Sequence, residues 1–183
     1  MNFQTATAER VASMSQRALL LYWQRLAGER PYPAPGVFSP TERMHDPKQL
    51  VIWQVEDDGP RRRFRALHHG AHVAEVFGQS WTGKTMDEVV PPFALAFALF
   101  SADACASTGR AVYTIFRTRD EQGRVIDCER LLLPLGTPDK VEQIVASLQL
   151  ISLEGEFRRG TVLEKFDANS SVAFAGMIGG GGG

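Results

Sequence analysis

Late in the chain, three runs of β-branched and aromatic residues follow one another with only short turns between them. This pattern restricts the fold more than any other feature. Residues 111–119 contain Val112, Tyr113, Thr114, Ile115 and Phe116. Asp120-Glu121-Gln122-Gly123 then reads as a hairpin turn, and residues 124–135 return, with Pro134 restricting the end of that run. Thr137-Pro138-Asp139-Lys140 turns the chain again into residues 143–153. There Ile144, Ala146, Leu148 and Leu150 alternate with Val145, Ser147 and Gln149, the two-residue period of a strand. An earlier pair has the same character. Residues 50–56 are rich in Val, Ile and Trp, Asp57-Asp58-Gly59-Pro60 makes a turn, and residues 62–68 come back. Between the pair and the triplet lie helical stretches: 70–77, ended by Gly78; 86–90, ended by Pro91-Pro92; and 93–107, whose only charged residue is Asp103. The order predicts an α+β domain, a five-stranded antiparallel sheet with the middle helices on one face.

An N-terminal helix precedes the sheet. Residues 8–27 hold no Gly or Pro, and Gly28 supplies a stop. Val11, Met14, Ala18, Leu21, Tyr22 and Leu26 form an apolar stripe, which Leu19, Leu20 and Trp23 widen past one face. Such a helix needs two covers. If Leu19, Leu20 and Trp23 point away from the sheet, a second copy of the chain is the expected cover, and these three become the candidate face of a homodimer. Pro31, Pro33 and Pro35 separate the helix from the core. The expected organisation is therefore 1–47 for the helix and Pro-rich connector, 48–153 for the folded domain, and 154–183 for a flexible tail ending in five glycines. Within that tail, Phe157, Val162, Leu163 and Phe166 give at most one marginal amphipathic turn.

Composition removes several classes of function. Hydrophobic residues at 44% supply a real core, and Lys plus Arg (20) against Asp plus Glu (21) leaves no basic footprint for nucleic acid or an anionic membrane. Arg61-Arg62-Arg63 with Arg65 reads as a solvated turn and strand start. No apolar stretch approaches the ~20 residues of a membrane span, and the N-terminus lacks the features of a signal peptide. Cys105 and Cys128 are too few for a disulfide framework, so reduced thiols and a cytoplasmic location are expected.

No catalytic or metal-binding motif stands up. Gly78 to Thr85 formally matches a phosphate-binding loop, but Gln79, Ser80 and Trp81 replace small loop residues and only a short helix follows. His68, His69 and His72 cluster without further convergent ligands, which disfavours a metal. Asp127 and Glu129, two apart on a strand, read as a solvated face rather than an acid–base pair. Cys105 reads as a small core residue.

The chain resembles a bacterial, mainly alphaproteobacterial, PAS-like family with an N-terminal Leu-Leu-x-Tyr-Trp helix. The pieces that carry the resemblance, in the family's order, are Leu20-Leu21-Tyr22-Trp23 with Leu26, Gly28, Arg30, Pro31 and Pro33; Gly70 and Phe77-Gly78; Thr82-Gly83-Lys84-Thr85-Met86-Asp87-Glu88-Val89; and Leu132-Leu133-Pro134-Leu135. Together they span roughly residues 19 to 150. The chain departs from the family pattern at Gly36-Val37-Phe38-Ser39-Pro40 and in the spacing from Arg65 to Gly70. The resemblance implies a PAS-like domain in signal transduction, a non-enzymatic sensor or regulator. It would act through a small apolar ligand, through protein contacts with a separate signalling partner, or both; a ligand-free interaction adaptor is the alternative, and a small α/β enzyme ranks below it. The expected pocket lies under the apolar helix, with Val55, Phe64, Val73, Phe77, Phe97, Tyr113 and Leu132 as candidate liners. Haem and flavin are disfavoured, since the helix has no histidine and the sequence around Cys105 is not a flavin motif.

Overall fold

The computed structural model describes residues 2–39, 46–58, 61–119, 122–152, 154–155 and 170–179. The helices are α1 (Met14–Ala27), α2 (Ala71–Phe77), α3 (Met86–Val89) and α4 (Pro92–Thr108). The strands are β1 (Gln4–Ala6), β2 (Leu50–Asp58), β3 (Arg61–His69), β4 (Val112–Arg119), β5 (Val125–Thr137), β6 (Lys140–Ser152) and β7 (Ser171–Ile178). Among the described residues they form one sheet in the order β1-β7-β4-β5-β6-β2-β3.

The α+β class and the N-terminal helix are as expected, but the sheet has seven strands rather than five. The five expected strands, β2 to β6, are present and pair antiparallel with one another. The additional pair comes from the ends of the chain. β7 runs antiparallel to β4, and β1 lies parallel to β7 with Gln4 opposite Gly176. Residues 171–178 were expected to be tail. They are held because β4 offers a free edge and Phe174 finds a buried place against the Tyr113 ring, with 5.9 Å between centroids. The rest of the tail reading, including Phe157 to Phe166 and four of the last glycines, lies outside the described residues.

Helix α1 starts at Met14, not at residue 8. Ser13 accepts a hydrogen bond from the Gln16 amide and caps it, whereas Ala8–Arg10 is a separate 3-10 turn. The helix packs on the sheet face opposite α4. Leu19 and Leu20 are fully buried and Trp23 is 7% exposed, all within a single chain. The homodimer face built on these three residues is therefore corrected. These three, with Gln16 and Ala27, are the one face that α1 buries, whereas Met14, Ala18 and Leu21 of the expected stripe are exposed. Phe38 of the connector packs on Tyr22 with 5.6 Å between ring centroids. The Trp23 indole donates to the Pro134 carbonyl at 2.8 Å. Pro134 lies beyond the Leu132 end of the β4 pairing, so its oxygen finds its partner in this indole.

Two glycines position the helices on the other face. A side chain at Gly70 would collide with the Lys48 carbonyl, and the Gly70 amide donates to Leu50 at 2.8 Å, so β3 can turn directly into α2. Gly83 has φ +83, a left-handed value that brings the 82–85 loop back onto β3. There the Gly83 amide donates to the Ala66 carbonyl at 2.8 Å, and the Ala66 amide donates to that of Lys84 at 2.9 Å.

If β7 belongs to the fold, Phe174→Ala should lower stability by roughly 3 kcal/mol, as for other buried Phe truncations. Urea unfolding followed by circular dichroism measures this; an unchanged midpoint would return residues 171–178 to a loose tail.

Candidate functional site

The face of the sheet under α4 carries a cleft of about 100 Å³. Strand alternation decides what reaches it. Thr114 and Phe116 of β4, Cys128, Arg130 and Leu132 of β5, and Ala146 and Leu148 of β6 line its floor. Their neighbours Tyr113, Glu129 and Ser147 point to the α1 face. α4 forms the roof with Phe93, Ala94, Phe97 and Ala98, and Trp81 and Met86 close one end. The cover accounts for one side of α4 only: Ala98, Ser101, Ala102 and Cys105 are buried, whereas Phe93 and Phe100 are exposed.

Trp81 is held by an aromatic cluster. Its ring stacks on His69 at 4.5 Å and 8°, and packs tilted on Phe77 at 4.3 Å and Trp53 at 5.7 Å. The Trp81 backbone amide donates to His69 Nδ1 at 3.0 Å. That bond places the imidazole proton on Nε2, which is buried without a partner among the described residues. Burial, with the neighbouring His68 as a smaller cause, pulls the His69 pKa down to about 4, so the ring is neutral at pH 7. The Trp81 Nε1–H, belonging to a residue on the cleft wall, is also buried without a partner.

Arg130 is the charged group on the floor. Its sheet neighbours are Thr114 on β4 and Leu148 on β6, and its guanidinium lies 5.6 Å from the centre of the Phe97 ring. Its Nη2 is buried with no hydrogen-bond partner among the described residues. Burial lowers its pKa to about 10, which still leaves it a cation at neutral pH. The nearby thiols do not balance it. Burial pushes Cys128 up to about 11 and raises Cys105 as well, so both remain protonated.

Of the pocket residues expected from the sequence, Phe77, Phe97 and Leu132 line this cleft. Val73 lines a smaller adjoining one of about 40 Å³, again with Phe77. Val55 and Phe64 face each other in register in the β2–β3 hairpin core and line neither. Tyr113 lies on the opposite face, where its hydroxyl accepts from the Ala12 amide at 3.4 Å. Trp81 and Arg130 were missed. In sequence Arg130 looks like the charged member of an alternating strand, and only the α4 cover makes it internal.

The α1 face holds a second polar group. Gln16 Nε2 donates to the Ser147 carbonyl at 3.1 Å, the Ser147 hydroxyl at 3.2 Å and the Glu129 carbonyl at 3.4 Å, tying α1 to β5 and β6 together. Glu129 is only 4% exposed, which corrects its reading as solvated. Burial raises its pKa, opposed by the Tyr113 hydroxyl and the Ser13 amide. Asp127 is instead paired with Arg117 through two contacts of 2.7 Å.

The remaining motifs resolve into structure. Thr85 and Glu88 form a capping box on α3, which has four residues, and Lys84 Nζ donates to Gln79 Oε1, so the Gly78 to Thr85 match is a connecting turn. Arg62 pairs with Asp57 and Asp103, and Arg65 with Glu56. Among the described residues no group of three His, Cys, Asp or Glu side chains is placed to hold a metal; His45 lies outside them. No described helix is long and apolar enough to cross a membrane. No protein-family model matches the chain, and no match was found among curated proteins.

The His69 environment has a pH signature. The unfolded imidazole takes its proton near 6.5 and the folded one near 4, so the unfolded state binds more protons between these values. The contribution is full above pH 6.5 and is lost as pH falls towards 4. His69→Gln should therefore flatten the stability profile across that window, read from urea midpoints at a series of pH values. A profile with the wild-type slope would place the acid sensitivity elsewhere.

Proposed function

We propose that this chain is a cytoplasmic PAS-like regulatory domain, not an enzyme, that reports occupancy of the cleft under α4 to a separate signalling protein. The observation that carries this reading is the cleft itself. α4 does not fill the space above β4, β5 and β6, whereas a completely filled space would speak against sensing and for a ligand-free adaptor. The layout of β2 to β6, with α2, α3 and α4 inserted after the first two strands, also agrees with a PAS-like architecture. At about 100 Å³ the cleft is well below the roughly 300–1,000 Å³ of sites for drug-sized ligands, so its occupant is small or narrow.

The route out runs through the sheet. Cleft residues Cys128 and Arg130 alternate with Glu129 on β5, and Leu148 follows Ser147 on β6. A ligand that shifts these strands also shifts the carbonyls to which Gln16 of α1 is bonded. The outer side of α1 then offers the contact surface. Met14 is 84% exposed and Leu21 51% exposed, seven residues apart and hence on one helix face. The homodimer in this reading uses that face, not Leu19, Leu20 and Trp23.

Native mass spectrometry of the purified full chain tests both parts in one spectrum. The expected result is a dimer that carries a small-molecule adduct released on denaturation. A bare monomer across the concentration range, with no adduct, would favour a ligand-free interaction module.

A further inference from the structure

The least explained group in the molecule is the buried guanidinium of Arg130. Arginine is rarely internal without a partner, because an unpaired buried charge forfeits its hydration. Here it sits centrally on the sheet between Thr114 and Leu148, with Cys128 and Leu132 before and after it on the same face. None of these neighbours is an anion. The Phe97 ring offers only its π face, and buried Nη2 has no hydrogen bond among the described residues. The remaining charged groups of β5 are directed elsewhere: Asp127 holds Arg117, and Glu129 lies on the α1 face.

The cleft supplies what is absent. It opens onto Arg130 and is otherwise walled largely by apolar and aromatic side chains, among them Trp53, Met86, Phe97 and Leu148. Trp81 adds a second buried donor without a partner, its Nε1–H. Two donors and no acidic side chain call for an acceptor-only head group. The guanidinium fork matches the two oxygens of a carboxylate. A phosphate dianion would need more donors and more positive charge than one arginine and one indole provide. The small volume and apolar walls set the rest of the molecule.

We infer that the cleft binds a small monocarboxylate, with its carboxylate on Arg130 and its apolar body between the sheet and α4. This rests on reading the cleft as a ligand site and assigns that ligand a chemical class. It also departs from a purely apolar ligand, which would leave the guanidinium unpaired.

Calorimetric titration of the full chain with hexanoate and benzoate, against hexanamide and benzamide, tests it. The acids should bind and raise Tm, and the amides, which match them in shape without the charge, should bind at least ~10-fold more weakly, as expected for loss of a charge-assisted bond. Arg130→Met should show a higher Tm than wild type without ligand and no preference for acid over amide. Arg130→Lys, which keeps the charge but loses the fork, should retain part of that preference. Equal binding of acids and amides to wild type would overturn the carboxylate assignment while leaving the cleft as a ligand site. An acid preference that survives Arg130→Met would overturn it too. Failure of all four probes to bind would remove the assignment and the ligand-site reading together.

Discussion

Strand β5 is buried on both faces, under α1 on one side and α4 on the other, and consecutive residues therefore meet different chemistry. Glu129 turns to the α1 side beneath Tyr113, and its backbone carbonyl accepts from Gln16. Arg130 turns to the α4 side and looks into a cleft. Sheets covered on both faces normally carry near-continuous apolar runs. Two adjacent charged residues at the centre of such a strand work against stability, and neither finds an ion pair among the described residues. Local rules broken without visible compensation concentrate at functional sites. The cleft and the α1 contact are in this sense two sides of one strand.

The separated sequence pieces that suggested a PAS-like domain meet in space for simple reasons. Trp23 of the Tyr-Trp helix donates to the carbonyl of Pro134 in the Leu-Leu-Pro-Leu run, so each explains the other. Gly70 lets β3 reach α2 past Lys48. The Thr-Gly-Lys-Thr segment folds back on β3, caps α3 and carries Trp81 into the aromatic cluster. None of these contacts binds anything. They fix α3 and α4 over the sheet at a distance that leaves the cleft.

Much of this was legible in the sequence. The two-residue alternation of β6 and the Val, Ile and Trp of β2 give their strands within a few residues, and the Pro-Pro and Gly109 bracket α4. The ends of the sheet were not legible. β1 has three residues, too few for any period, and β7 is an Ala- and Gly-containing run whose partner is supplied only by the edge of β4. The α1 stripe was not legible either. The residues that widen it in the sequence, Leu19, Leu20 and Trp23, belong with Gln16 and Ala27 to the one buried face, and Met14, Ala18 and Leu21 are exposed, because polar Gln16 turns inward to bond the sheet. The site was half legible. Phe77, Phe97 and Leu132 are apolar residues in apolar elements, whereas Arg130 becomes a site residue only once both faces of β5 are known to be covered.

The central claim is that β5 joins the cleft to α1. Hydrogen–deuterium exchange on the full chain, with and without saturating hexanoate, tests it most directly. The account predicts slower exchange in α3 and α4 and, at the same time, an altered rate in the first two turns of α1 around Gln16, on the face that the ligand never touches. A change confined to α3, α4 and the floor of the cleft, with α1 unmoved, would contradict it.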